Sequence, residues 1–169
     1  MQKFLLTFIA LLLFSTTAIA EMRFGIIGEQ EHGAGLFIWD DMFNASITYA
    51  TRTTDYVYQT WSGDDQSVSK LTLGVNYKLP IDSMTSLTAG VSYATLSGYL
   101  FSSSVQATYE IDSASVMAIN TGIERILNNH LLITAQASLY TVTSIELSAG
   151  DISASSMLTD GRVGIAYLF

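Results

Sequence analysis

The residues whose types and spacing could do chemistry are a handful of charges set inside alternating segments. Arg23, Lys70, Lys78, Glu124 and Arg162 each fall where apolar residues and small polar residues take turns along the chain. A period of two is the strand period, so these five share the non-apolar face of their strands, together with Asn76, Asn120 and Gln136. If that face is enclosed, a charge on it must be paired or hydrated. The group then forms either a network of ion pairs and hydrogen bonds that fills an interior, or a narrow ion path through the same side chains. Glu124 in particular needs a cation, Arg162 being the first expectation and Lys78 or Arg23 the next.

Other constellations are thinner. His32 stands beside Glu29 and Glu31, and His130 follows Asn128-Asn129. One histidine with two carboxylates on a short loop falls short of metal-ligand spacing, and a solvated loop accounts for it. The strand order puts the two histidines at opposite ends of the fold, so they cannot share a catalytic site. No Gly-rich phosphate loop and no serine-nucleophile motif occurs. No catalytic residue, metal or cofactor is therefore expected. Tyr56, Tyr58 and Trp61, followed by Asp64 and Asp65, offer aromatics beside acids, a composition suited to contacting a ligand. The plainer reading continues them as strand or interfacial aromatics.

The elements that must position these residues read as strands. Leu71, Leu73, Val75, Tyr77 and Leu79 alternate with Lys70, Thr72, Gly74, Asn76 and Lys78, and after a turn at 80–85 Leu87, Ala89, Val91 and Tyr93 repeat the pattern. Met117, Ile119, Thr121 and Ile123 lead to a turn at 127–129, beyond which Leu131, Ile133, Ala135, Ala137 and Leu139 share a face. Phe43, Ala45, Ile47 and Tyr49 follow a third turn at 40–42. Longer polar stretches at 29–33, 55–68, 98–113 and 144–158 separate the short turns. The count is eight strands: 22–29, 33–39, 43–54, 69–79, 86–98, 110–126, 130–143 and 158–169. The segment 104–111 alternates by itself, so it either extends a hairpin or makes the count ten.

Composition says where such strands sit. Lys3 precedes an apolar run from Phe4 to Phe14, and Ala18 and Ala20 stand in the small-x-small arrangement of a cleavage site. Residues 1–20 read as a secretory signal peptide and 21–169 as one domain. A retained anchor is the rival, but an 11-residue run is well short of the ~20 that span a bilayer. Loss of Lys3 leaves six Lys/Arg against 15 acids, which argues against nucleic acid as a partner. The chain has no cysteine, hence no disulfide framework.

Charged residues are 13% of the chain, about half the usual ~25%. No run of 18 apolar residues follows Ala20, which excludes membrane helices and leaves a closed barrel as the spanning solution. A periplasmic β-sandwich fits the same alternation. Two features favour the barrel. The non-apolar faces are mostly Ser, Thr, Gly, Ala, Asn and Gln, suited to a narrow interior, and the apolar faces carry no charge along their middles. Trp39, Tyr77, Tyr167 and Phe169 fall near strand ends, where an interfacial aromatic girdle belongs.

The chain ends with Val163, Ile165, Tyr167 and Phe169 at alternate positions. In this pattern, and in its alternation of short and long connections, it resembles the bacterial outer-membrane β-barrel proteins, in the size class of the OmpA- and OmpX-type small barrels. The resemblance implies an all-β, transmembrane, antiparallel up-and-down barrel exported to the outer membrane of a Gram-negative bacterium. It implies outer-membrane lipids and the barrel-assembly machinery as partners, with Val163, Ile165, Tyr167 and Phe169 as the assembly signal. The expected role is non-enzymatic, structural or adhesive, through the acidic loops and a surface ligand the sequence does not name. The alternatives are a narrow pore and, behind it, a lipid- or peptide-modifying enzyme.

Overall fold

A computed structural model of the chain describes residues 22–30, 33–51, 65–102, 107–147 and 157–169. The expected leader, His32 with Glu31, and the Tyr56–Asp64 stretch lie outside the described residues.

Eight strands follow one another: β1 (Arg23–Glu29), β2 (Gly33–Trp39), β3 (Phe43–Thr51), β4 (Asp65–Pro80), β5 (Thr85–Ser102), β6 (Ala107–Ile126), β7 (Leu131–Leu147) and β8 (Met157–Leu168). Each pairs antiparallel with the next, and β8 returns to β1 to close the barrel. Closure satisfies every strand edge within the barrel wall, which an open sandwich cannot do. The segment 104–111 does not add strands. Its described part, from Ala107 to Ile111, continues β6 and pairs with β5 from Ser102 back to Gly98, so the count is eight rather than ten.

The strands are longer than alternation alone marks. β4 starts at Asp65 and β5 runs to Ser102, while β6 starts at Ala107 and β7 runs to Leu147. Much of the polar sequence read as loop is therefore strand. Ser, Thr and Gly give little contrast between faces, but a paired neighbour supplies the hydrogen bonds that keep the chain extended. Register shifts between Leu96 and Gly98 and between Ile111 and Ser113 mark this extended part. Gly98 takes φ 129°, a left-handed geometry that glycine adopts without penalty.

The short connections share one device. Asp40 Oδ1 accepts the Met42 N–H at 2.7 Å, Asp82 Oδ1 those of Met84 and Thr85 at 2.7 Å each, and Asn128 Oδ1 those of His130 and Leu131 at 2.9 Å each. An Asx side chain folding back on the backbone two residues ahead closes the turn without help from the barrel.

The burial pattern is inside-out relative to a soluble protein. Ile26, Leu36, Tyr77, Val91, Ile119, Ile165 and Phe169 point outward and are exposed. Lys70, Lys78, Glu124, Asn44 and Asn120 point inward and are buried. Within the wall, β2 and β3 approach so closely at Gly35 that a Cβ there would run into the Ile47 carbonyl.

Candidate functional site

The interior is where the charges meet. β2 brings Trp39 inward, β3 Asn44, β4 Lys78 and β6 Glu124, so four strands from opposite walls supply one cross-bore layer. Lys78 Nζ lies 2.7 Å from Glu124 Oε1, with both side chains nearly inaccessible. The Trp39 indole N–H donates to the same oxygen at 3.0 Å, and Asn44 Nδ2 donates to Glu124 Oε2 at 2.8 Å. Asn76 Nδ2 then donates to Asn44 Oδ1 at 2.8 Å. Lys78 Nζ also donates to the Asp40 carbonyl at 2.6 Å and stands 3.6 Å from the centroid of the Trp39 ring. Both carboxylate oxygens and the ammonium are thus engaged by fixed partners, the condition under which a buried ion pair is tolerated.

An apolar cluster packs beside this layer, on β1, β2, β7 and β8. Ile27, Phe37, Trp39, Leu132, Ala166 and Leu168 are buried together, with Ile126 packed against them. The bore is filled there by side chains, as eight strands allow.

A second polar layer lies further along the bore. Arg162 Nη2 donates to Asn120 Oδ1 and to Ser138 Oγ, each at 2.9 Å, and Ser138 Oγ donates to the same Asn120 oxygen at 2.8 Å. Arg162 Nη1 is 3.7 Å from Glu29 Oε2. Lys70 is buried still nearer the long-connection end. Arg23 sits at the other mouth, where Nη1 donates to the Asn129 carbonyl at 2.8 Å and the guanidinium lies 5.5 Å from the Trp39 ring.

These placements correct the sequence reading in three ways. Glu124 pairs with Lys78, its second-choice partner, and Arg162 pairs with Glu29, because the tilt of the strands carries Arg162 to a level above Glu124. Glu29, which ends both the expected strand 22–29 and β1, turns its side chain into the bore toward Arg162 instead of serving a loop cluster. Trp39 is not part of an aromatic girdle. It shares the inward phase of Phe37 and is 5% exposed. The signal for it was available: Leu36 and Ile38 alternate with Phe37 and Trp39, but four consecutive apolar residues hide the phase. Tyr77, Tyr167 and Phe169 do face outward.

Val163, Ile165, Tyr167 and Phe169 form one exposed apolar row on β8 and the residue after it. The Tyr167 and Phe169 rings meet edge to face at 5.7 Å between centroids. Among the described residues no group of three or more His, Asp or Glu side chains is gathered as a metal would require.

No protein-family model matches the chain, and no curated protein matches it in sequence. Solved structures do. A major outer membrane protein from Thermus thermophilus is similar at 14% identity with a TM-score of 0.53, over 89% of this chain and 100% of that one. The Neisserial surface protein A is similar at 6% identity and a TM-score of 0.52, over 88% of this chain and 94% of that one. What this chain shares with them is the fold, a closed, eight-stranded antiparallel barrel of the outer-membrane type.

Proposed function

We propose that the protein is an integral outer-membrane barrel without catalytic activity, whose role is structural or lies in contacts made by its long-connection end. The observation that carries this reading is the inverted polarity of the fold. Large apolar side chains face outward all round the wall, while Lys70, Lys78 and Glu124 are buried within it. In water such an arrangement would expose a continuous apolar belt; in a bilayer it is the stable one.

The long-connection end suits contact with other molecules. β4 to β7 run 16, 18, 20 and 17 residues, against seven each for β1 and β2. About ten residues of tilted strand cross a bilayer, so β4–β7 continue beyond it as a wall on one side of the barrel. That wall and the acidic connections beyond it are the surface on which a ligand would dock. Val163, Ile165, Tyr167 and Phe169 are the residues that the assembly machinery would read, and residues 1–20 the leader for export.

The narrow-pore alternative is disfavoured by the Trp39–Lys78–Glu124–Asn44 layer and the apolar cluster packed beside it. The decisive measurement is refolding into lipid vesicles followed by gel migration with and without boiling. A folded barrel migrates differently in the two lanes; a chain that stays soluble and migrates identically overturns the membrane reading. Single-channel recording on the same material is expected to show no steady conductance, and lipid A profiles with and without the protein should match.

A further inference from the structure

We infer that the bore holds a closed chamber between its two polar layers, a binding site for a small cluster of water molecules. Three observations carry this: a level of the wall without side chains, accessible surface at that level, and buried polar atoms without partners around it.

On β6, Gly122 falls midway between Glu124 of the lower layer and Asn120 of the upper one. It pairs with Thr88 and Gln136, and Gly90, the next inward position after Thr88, pairs with Asn76. Gly74, the next inward position after Asn76, pairs with Ser46 and Ser92. Gly164, one inward step from Arg162, pairs with Glu29. Four strands thus turn a hydrogen atom, rather than a side chain, into the bore here. Ser46 on β3 and Gln136 on β7 do point inward at this level, and both are only half-buried. Their inward neighbours on either side, Asn44 and Thr48, Thr134 and Ser138, are buried. Accessible surface between two sealed levels marks an enclosed space that takes water.

The polar atoms around that space are unpaired. Asn76 Oδ1, Thr88 Oγ1, Glu29 Oε2, Thr48 Oγ1, Thr72 Oγ1 and Arg162 Nε are buried and have no hydrogen-bond partner in the protein. Asn76, Thr88 and Glu29 are each the cross-strand partner of one of the four strands' glycines or of its neighbour in the ring, and Thr48 pairs with Thr72 one inward step above Ser46 and Gly74. Buried polar groups without a protein partner are met by ordered water. The chemistry selects that guest. Lys78 and Arg162 stand on either side against a cation, and carboxylate and amide oxygens stand against an anion. An apolar guest would leave all six atoms unpaired. At ~3 hydrogen bonds per buried water, the six call for about two molecules. Arg162 Nη1 and Glu29 Oε2 are 3.7 Å apart, too far for a direct hydrogen bond, and a shared water completes the pair.

This inference rests on the closed barrel and not on the membrane role, so it is tested in detergent micelles. Oxygen-17 relaxation dispersion of the solvent counts long-lived internal waters, and recording at several temperatures brings in those that exchange slowly. The refolded full chain should show about two such waters. Gly74 is the position to fill, because a Cβ there would meet only side chains, Ser46 Oγ at 3.2 Å and Ser92 Cβ at 3.8 Å. Gly74→Val should cut the dispersion amplitude at least twofold. Ala137→Val, which adds bulk on the outer face of β7, should leave it unchanged. Each variant is used only if it keeps heat-modifiable migration, and Gly74→Ala replaces Gly74→Val if that chain does not refold. A parent barrel with no long-lived water overturns the inference. So does an amplitude that Gly74→Val leaves unchanged, or that Ala137→Val lowers equally. In each case the proposed membrane role is untouched.

Discussion

Glu124 is the residue on which the interior turns. Its two oxygens accept from Trp39, Asn44 and Lys78, side chains carried by three other strands. Lys78→Met removes the ammonium and leaves a buried carboxylate with neutral donors only, so it should destabilise refolded protein by ~3–5 kcal/mol. Adding Glu124→Gln removes the orphaned charge, and the double variant should be more stable than Lys78→Met alone by ~1–2 kcal/mol. Urea titrations of the two single variants and the double variant measure the coupling; additive effects would show that the charges do not interact. Phe169, at the same scale, is the exposed end of the β8 row. Phe169→Asp places a charge where the row meets lipid, and surface levels of the exported protein should fall. Undiminished levels would remove Phe169 from the proposed assembly signal.

The short turns act as separate elements, and one of them makes a pH-dependent contribution. Asp82 accepts the Met84 N–H, which holds its carboxyl below the ordinary carboxylate value, and the Thr85 hydroxyl and N–H act in the same direction. Because the folded value is the depressed one, the turn's stabilisation is fully present above the ordinary carboxylate value. It is lost as pH falls through the folded value. Asp82→Asn keeps an acceptor oxygen but no longer titrates, so the loss of stability between neutral pH and about pH 3 should be smaller in that variant than in the parent. Unfolding titrations at the two pH values check this, and identical pH profiles would mean the bond is not kept in solution.

For the whole molecule, the sidedness of the wall is the property under test. Val75 faces outward and Asn76 inward, one residue apart on β4. If Val75 lies near the middle of the bilayer, Val75→Arg should cost ~2–4 kcal/mol in a vesicle refolding titration. Asn76→Ser withdraws the donor to Asn44 Oδ1 without placing a charge in lipid, and a smaller loss of ~1 kcal/mol is expected. Equal penalties at the two positions would mean that the wall does not separate lipid from a packed interior.

The alternation of side chains was enough, by itself, to determine the all-β class, the three short turns and the face on which Lys78, Glu124 and Arg162 lie, while leaving the strand count between eight and ten. Period two is a local property, and each strand reports its own phase wherever apolar and small polar residues contrast. Where contrast fails, as at Leu36–Trp39 or in the Ser- and Thr-rich parts of β5 and β7, the sequence leaves phase and length open. Which charges meet was decided only by the closed barrel. Glu124 and Lys78 are 46 positions apart, on strands that are not neighbours in the sheet. Strand tilt and register set the level at which each inward side chain crosses the bore, so Arg162 comes level with Asn120 and Ser138 and Lys78 with Glu124 and Trp39. Tilt and register are properties of the whole closed sheet, and no single strand's sequence carries them.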